Sequence, residues 1–149
     1  MAIKGRFRHV RSFDGTKLAW TSSGKGDLAV ILANGIVCTD TYWTFLHPYL
    51  VERGHKVVFW DYRAHGRSGA PANPNEITLS SHARDLWAVA DAAGVERAIL
   101  IGHSMGVQTI LEACRLAPPA LPAWSRSRDR SNTRTGRSTA GRCCTTCSR

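Results

Sequence analysis

Apolar residues follow two rhythms along this chain. LAVILA (28–33), the VVFW of HKVVFWDYR (55–63) and the AILI of RAILIG (97–102) are continuous runs, as in parallel strands buried on both faces. Between them the spacing lengthens. Trp43, Leu46 and Leu50 keep a helical period that stops at Gly54. Leu79, Ala83, Leu86, Val89 or Ala90, and Ala93 keep a second that stops at Gly94. A third places Val107, Ile110, Leu111 and Cys114 on one face and ends at Pro118-Pro119. Strand and helix thus alternate three times over residues 28–118, which predicts an α/β class with a mostly parallel sheet and crossover helices. Ahead of them, residues 5–27 read as an antiparallel hairpin turning at Asp14-Gly15. RAHGRSGAPANPNE (63–76) reads as a loop from its Gly, Pro and Asn.

Neither rhythm survives past Pro119. Residues 119–149 contain no Val or Ile and are dominated by Arg, Ser and Thr. Such a segment cannot offset its ordering entropy by burial, so a disordered basic tail is expected. An out-of-frame reading of a GC-rich gene gives the same composition, which makes a frameshift a second account of it. The formal charge of +9 is concentrated there: residues 1–118 carry 13 Lys+Arg against 10 Asp+Glu, whereas residues 119–149 carry seven Arg and only Asp129. The body therefore has no basic bias that would mark a nucleic-acid-binding domain. RNA or anion binding is left to the tail.

Cys38 and Cys114 lie in the body, where reduced thiols are expected. Cys144-x-x-Cys147 in the tail, with Cys143 beside it, lacks the second pair or the histidines that zinc requires, so no metal site is expected. The N-terminus has charge but no apolar signal-peptide core, and LAVILA is too short to cross a bilayer. A cytoplasmic protein without a membrane span is the expectation.

The candidate chemistry sits where RAILIG ends. Gly102-His103-Ser104-Met105-Gly106 falls between a predicted strand and a predicted helix beginning near Met105. A serine on so sharp a turn is forced into a strained backbone with its hydroxyl above the sheet edge. The flanking glycines remove side chains that would collide. The helix behind it turns free N–H groups and its positive end toward any oxyanion formed there. The rival is an ordinary strand–turn–helix serine.

Three motifs together resemble the α/β-hydrolase superfamily, of the serine esterase and lipase kind, over about residues 6–118. GHSMG looks like its nucleophile elbow. ANGIVCTDTYW (33–43) looks like its oxyanion loop, with Asn34-Gly35 where His-Gly is commoner. DYRAHGRSG (61–69) looks like the segment after its next strand, with Ala64 where glycine is more usual. The resemblance implies that residues 1–118 form the N-terminal part of such a domain. It makes Ser104 the nucleophile that forms an acyl-enzyme, with the backbone N–H groups of Ile36 and Met105 as oxyanion hole. It implies a small-molecule ester or related acyl substrate and no cofactor. A serine at this position argues against the haloalkane and epoxide branches, which the resemblance pairs with aspartate. Asp61 and Arg63 are read as pinning their loop, and Tyr42 and Trp43 as either acyl-pocket wall or core.

The same resemblance exposes a gap. Its triad runs Ser, then Asp or Glu, then His, yet all six histidines (His9, His47, His55, His65, His82 and His103) precede Ser104. The only acids after it are Glu112 and Asp129. His103 is expected to point away from the hydroxyl, and His65 is the outside candidate for a base. The strand that would pair with RAILIG is also missing, which predicts an open edge prone to self-association. An inactive truncated or frameshifted fragment is therefore the rival to an active serine hydrolase.

Overall fold

A computed structural model describes Ile3 and residues 5–116. The expectations for the basic tail and for Cys143, Cys144 and Cys147 lie outside the described residues. The elements are β1 (Arg8–Arg11), β2 (Lys17–Ser23), β3 (Leu28–Ala33), α1 (Leu46–Glu52), β4 (Lys56–Trp60), α2 (Leu79–Ala92), β5 (Arg97–Gly102) and α3 (Met105–Leu116). Short 3-10 turns occupy Asp40–Trp43 and Pro74–Glu76. The sheet order is β1-β2-β4-β3-β5. β1 and β2 form the predicted hairpin, β2 meets β4 antiparallel, and β4, β3 and β5 run parallel.

Strand alternation sends successive side chains to opposite faces, and both faces are covered. Ala29, Ile31 and Ala33 of β3 and Val58 and Trp60 of β4 pack with Leu86, Val89 and Ala90 of α2 and Ile110 and Ala113 of α3. Val30, Leu32, Val57 and Phe59 pack on the other face with Trp43 and the partly buried Leu46, Leu50 and Val51. This two-sided burial is why the strands read as continuous apolar runs.

Two helical readings are corrected. Trp43 does not belong to the helix of Leu46 and Leu50: it ends a separate 3-10 turn, is buried, and donates its indole N–H to Asn34. α3 buries Gly106, Thr109, Ile110 and Ala113, while Leu111 is 58% exposed. Gly106 rests on the carbonyl of Ala33, so the i, i+3, i+4, i+7 face starting there meets the sheet and Leu111 turns outward. Among the described residues β5 pairs with β3 alone, and most of its side chains are only half-buried. No helix among the described residues is long and apolar enough to cross a membrane.

Candidate active site

The register aligns Ala33 with Gly102, so β3 and β5 end side by side. At that shared end the chain turns twice. After Gly102 the His103 N–H donates to the Ala33 carbonyl (3.1 Å), and Ser104 adopts φ 53°. A left-handed backbone is rare for a residue with a Cβ and is tolerated only where the surroundings enforce it. Here they do so by close approach. A Cβ on Gly102 would lie 2.6 Å from the Gly106 carbonyl carbon, and a Cβ on Gly106 would lie 2.1 Å from the Ala33 oxygen. The glycines are thus steric requirements of the turn. The Gly106 and Val107 amides bond back to the carbonyls of His103 (2.8 Å) and Ser104 (3.0 Å), closing the corner as α3 begins. Ser104 itself is exposed.

The second turn follows β3. A Cβ on Gly35 would sit 3.2 Å from the Ser104 Cβ and 2.9 Å from His103 Nδ1, so the Gly35 backbone lies against the elbow. Ile36 and Val37 occupy the centre of a tight turn in which the Cys38 amide donates to the Gly35 carbonyl (3.3 Å). Val37 has φ 59° and is 80% exposed. The structure thus brings Ser104, Met105 and the Gly35–Ile36 peptide to one corner. It separates Tyr42 from Trp43: Trp43 is core, whereas half-exposed Tyr42 stacks on the His103 ring at 4.0 Å. His103 is accordingly held beside the elbow, its ring on Tyr42.

Behind this corner the loop after β4 is held by charge. Arg63 is fully buried, with its guanidinium on both carboxylate oxygens of Asp85 (2.6 and 2.8 Å), on Asp14 (2.8 Å) and on the Glu76 carbonyl (2.9 Å). Arg67 joins Asp40 (2.7 Å) to Asp61 (3.2 Å), and Asp61 also accepts the Arg67 amide (2.8 Å). Burial pushes the Asp61 carboxyl up, opposed by those Arg67 contacts. Asp61 and Arg63 hold their loop together. His65 directs Nδ1 at the Arg63 carbonyl (2.9 Å), and among the described residues no histidine is in hydrogen-bond contact with the Ser104 hydroxyl.

Sequence reasoning missed three side chains. Tyr62 donates its hydroxyl to the Asn34 carbonyl (2.8 Å), and burial pushes its pKa up to about 12, so it stays a donor at neutral pH. Arg67 links Asp40, in the segment after β3, to the Asp61 loop. His82 is buried on α2, 4.7 Å from the Tyr62 ring, and desolvation lowers its pKa to about 4. Tyr62 and Arg67 both stand inside DYRAHGRSG, but the partners that tie them to the segment after β3, Asn34 and Asp40, are distant in sequence. His82 sits on the apolar face of α2, i+3 from Leu79 and i−4 from Leu86, and carries no signal of its own.

A family model described as the alpha/beta hydrolase fold matches residues 29–123, spanning β3, the elbow and α3. The chain belongs to the α/β-hydrolase fold family. It is similar to RutD of Variovorax paradoxus, named as a candidate carbamate hydrolase, with 34% identity over 66% of this chain and 39% of that protein. It is also similar to an epoxide hydrolase of Caballeronia sordidicola, with 29% identity over 76% of this chain and 36% of that protein. The solved structure of epoxide hydrolase VrEH1 from Vigna radiata superposes with a TM-score of 0.68 at 26% identity, covering 76% of this chain and 35% of that one. The chain thus spans well under half the length of these hydrolases.

Proposed function

We propose that Ser104 is the nucleophile of a serine hydrolase acting on carboxylic esters or related acyl bonds of small molecules. The carrying observation is the strained Ser104 backbone (φ 53°) between two glycines whose Cβ atoms would collide with the neighbouring chain. A fold tolerates that strain at a residue whose position is needed for chemistry. The hydroxyl oxygen would attack the acyl carbon, and the Ile36 and Met105 amides would receive the charge developing on the carbonyl oxygen. Pre-aimed donors of this kind are each worth about 10²–10³ in rate. Serine in place of aspartate at the elbow supports an acyl-enzyme over the alkyl-enzyme of an epoxide-opening reaction.

The attacking hydroxyl must lose a proton, and no histidine follows Ser104 in the 149 residues. The base is therefore His65, after a rearrangement of its loop, or a group outside these residues. A fluorophosphonate probe tests the assignment. Covalent capture at Ser104, mapped by mass spectrometry and lost in Ser104→Ala, supports the nucleophile. A folded chain that gives no adduct at Ser104 would overturn it.

A further inference from the structure

We infer that Asn34 is the positioning residue of the oxyanion loop, holding the Ile36 peptide against Ser104 with a donor and an acceptor supplied by one neutral amide. The inference rests on reading Ser104 and Ile36 as nucleophile and oxyanion donor. Asn34 is buried. Its Oδ1 accepts the Trp43 indole N–H (2.5 Å), its Nδ2 donates to the Cys38 carbonyl (3.3 Å), and its own carbonyl accepts the Tyr62 hydroxyl (2.8 Å). One residue thereby ties together the start of the 35–38 turn, its far end, the 3-10 turn and the corner after β4.

The turn needs such a hold. Its third residue, Val37, is β-branched in the left-handed region, where that side chain resists lying. Its internal bond, Cys38 to Gly35, is long at 3.3 Å. The chemistry at position 34 is specific. An aspartate would accept from Trp43 but confront the Cys38 carbonyl with a second acceptor. A leucine would satisfy neither partner. A neutral histidine carries one donor and one acceptor and can serve both.

The test uses the full chain with Cys38, Cys114, Cys143, Cys144 and Cys147 replaced by alanine and Ser104→Cys introduced. A thiolate needs no general base, so the absence of a histidine after position 104 does not blank the assay. With p-nitrophenyl acetate, the sulfur bonds to the acyl carbon, p-nitrophenolate leaves, and a thioester forms through an oxyanion. With a bis(nitrobenzoate) disulfide, the same sulfur bonds to one disulfide sulfur, the S–S bond breaks and a nitrothiobenzoate thiolate leaves, with no oxyanion formed. Asn34→Leu is expected to cut acetylation about 10²-fold while leaving disulfide exchange unchanged. Asn34→His is expected to recover most of that loss, and Asn34→Asp to recover little. If Asn34→Leu fails to fold, Trp43→Phe removes the indole donor alone and is expected to lower acetylation selectively by a smaller factor. Acetylation at the parent rate in Asn34→Leu and Trp43→Phe, or equal loss of both reactions, overturns the inference. A parent that acetylates no faster, relative to its disulfide exchange, than a free cysteine peptide overturns the Ser104–Ile36 reading instead and takes the inference with it.

Discussion

Two corners at the carboxyl end of the sheet share left-handed backbone, at Ser104 in one and at Ala64 and Gly66 in the other, but are held by different means. After β5, the chain turns through Gly102–Gly106 by removing atoms: two missing Cβ atoms let α3 rest on the Ala33 carbonyl, and Ser104 absorbs the strain. After β4, the chain turns through Asp61–Gly69 by adding charge, with Arg63 and Arg67 each held between two carboxylates. The first corner presents a hydroxyl in an exact position. The second carries His65, turned onto the Arg63 carbonyl, and it braces the loop that faces the first, through Tyr62 on Asn34 and Arg67 on Asp40. A corner made by close approach is local and sets one atom. A corner made by ion pairs reaches across the fold and sets a neighbouring segment.

The largest loss is expected at Arg63. Arg63→Met should leave the buried carboxylate of Asp85 unpaired and cost about 3–5 kcal/mol in urea unfolding. Adding Asp85→Asn should return a large part of that loss, since the stranded charge is then gone. Were both variants as stable as the parent, the charged corner would be ornamental. The steric corner should break next. Gly106→Ala places a methyl 2.1 Å from the Ala33 oxygen, and separating α3 from β3 to relieve it should cost about 1–3 kcal/mol. A neutral Gly106→Ala would mean that the elbow tolerates side chains and needs another explanation.

A smaller effect of opposite sign sharpens the contrast. Ser104→Gly should stabilise the protein by about 1 kcal/mol, because glycine occupies φ 53° without the penalty that serine bears. A mutation that stabilises while abolishing probe capture would mark the serine as retained for chemistry. Destabilisation would place the strain elsewhere.

The pH dependence around the charged corner should follow His82. Its folded pKa of about 4 lies below the ordinary 6.5. The unfolded chain therefore binds the extra proton first as pH falls, and stability present above pH 6.5 should decline through the window down to about 4. His82→Phe should flatten that window in denaturant midpoints taken at successive pH values. An unchanged slope would assign the acid sensitivity to other groups.

These two corners also divide what the sequence could reveal. The Gly102–Gly106 corner is readable because the glycines, the serine and the change of rhythm on either side stand together in GHSMG, although the Ala33 carbonyl that requires Gly106 is remote. The strands and crossover helices were readable for the same reason, since burial on both faces writes itself as local periodicity. The charged corner was readable as a segment and not as a mechanism. Nothing near Arg63 announces Asp14 or Asp85, and the partner of Tyr62 is a backbone carbonyl, which leaves no mark in composition. The helical reading of Trp43 failed because its indole had a polar partner at Asn34 that outweighed its place in the Leu46–Leu50 spacing. Leu111 reads as inward from its apolarity, but the close approach of Gly106 to Ala33 sets the helix face and turns it outward.

If the 35–38 turn and the Gly102–Gly106 corner converge on one reacting carbon, Ser104 bonds to that carbon and two amides bond to its oxygen. A crystal structure of the phosphonylated chain should then show phosphorus bonded to Ser104 Oγ and its oxygen about 2.7–3.1 Å from the amide nitrogens of both Ile36 and Met105. A phosphonyl oxygen directed to solvent, or bonded to neither amide, would contradict it.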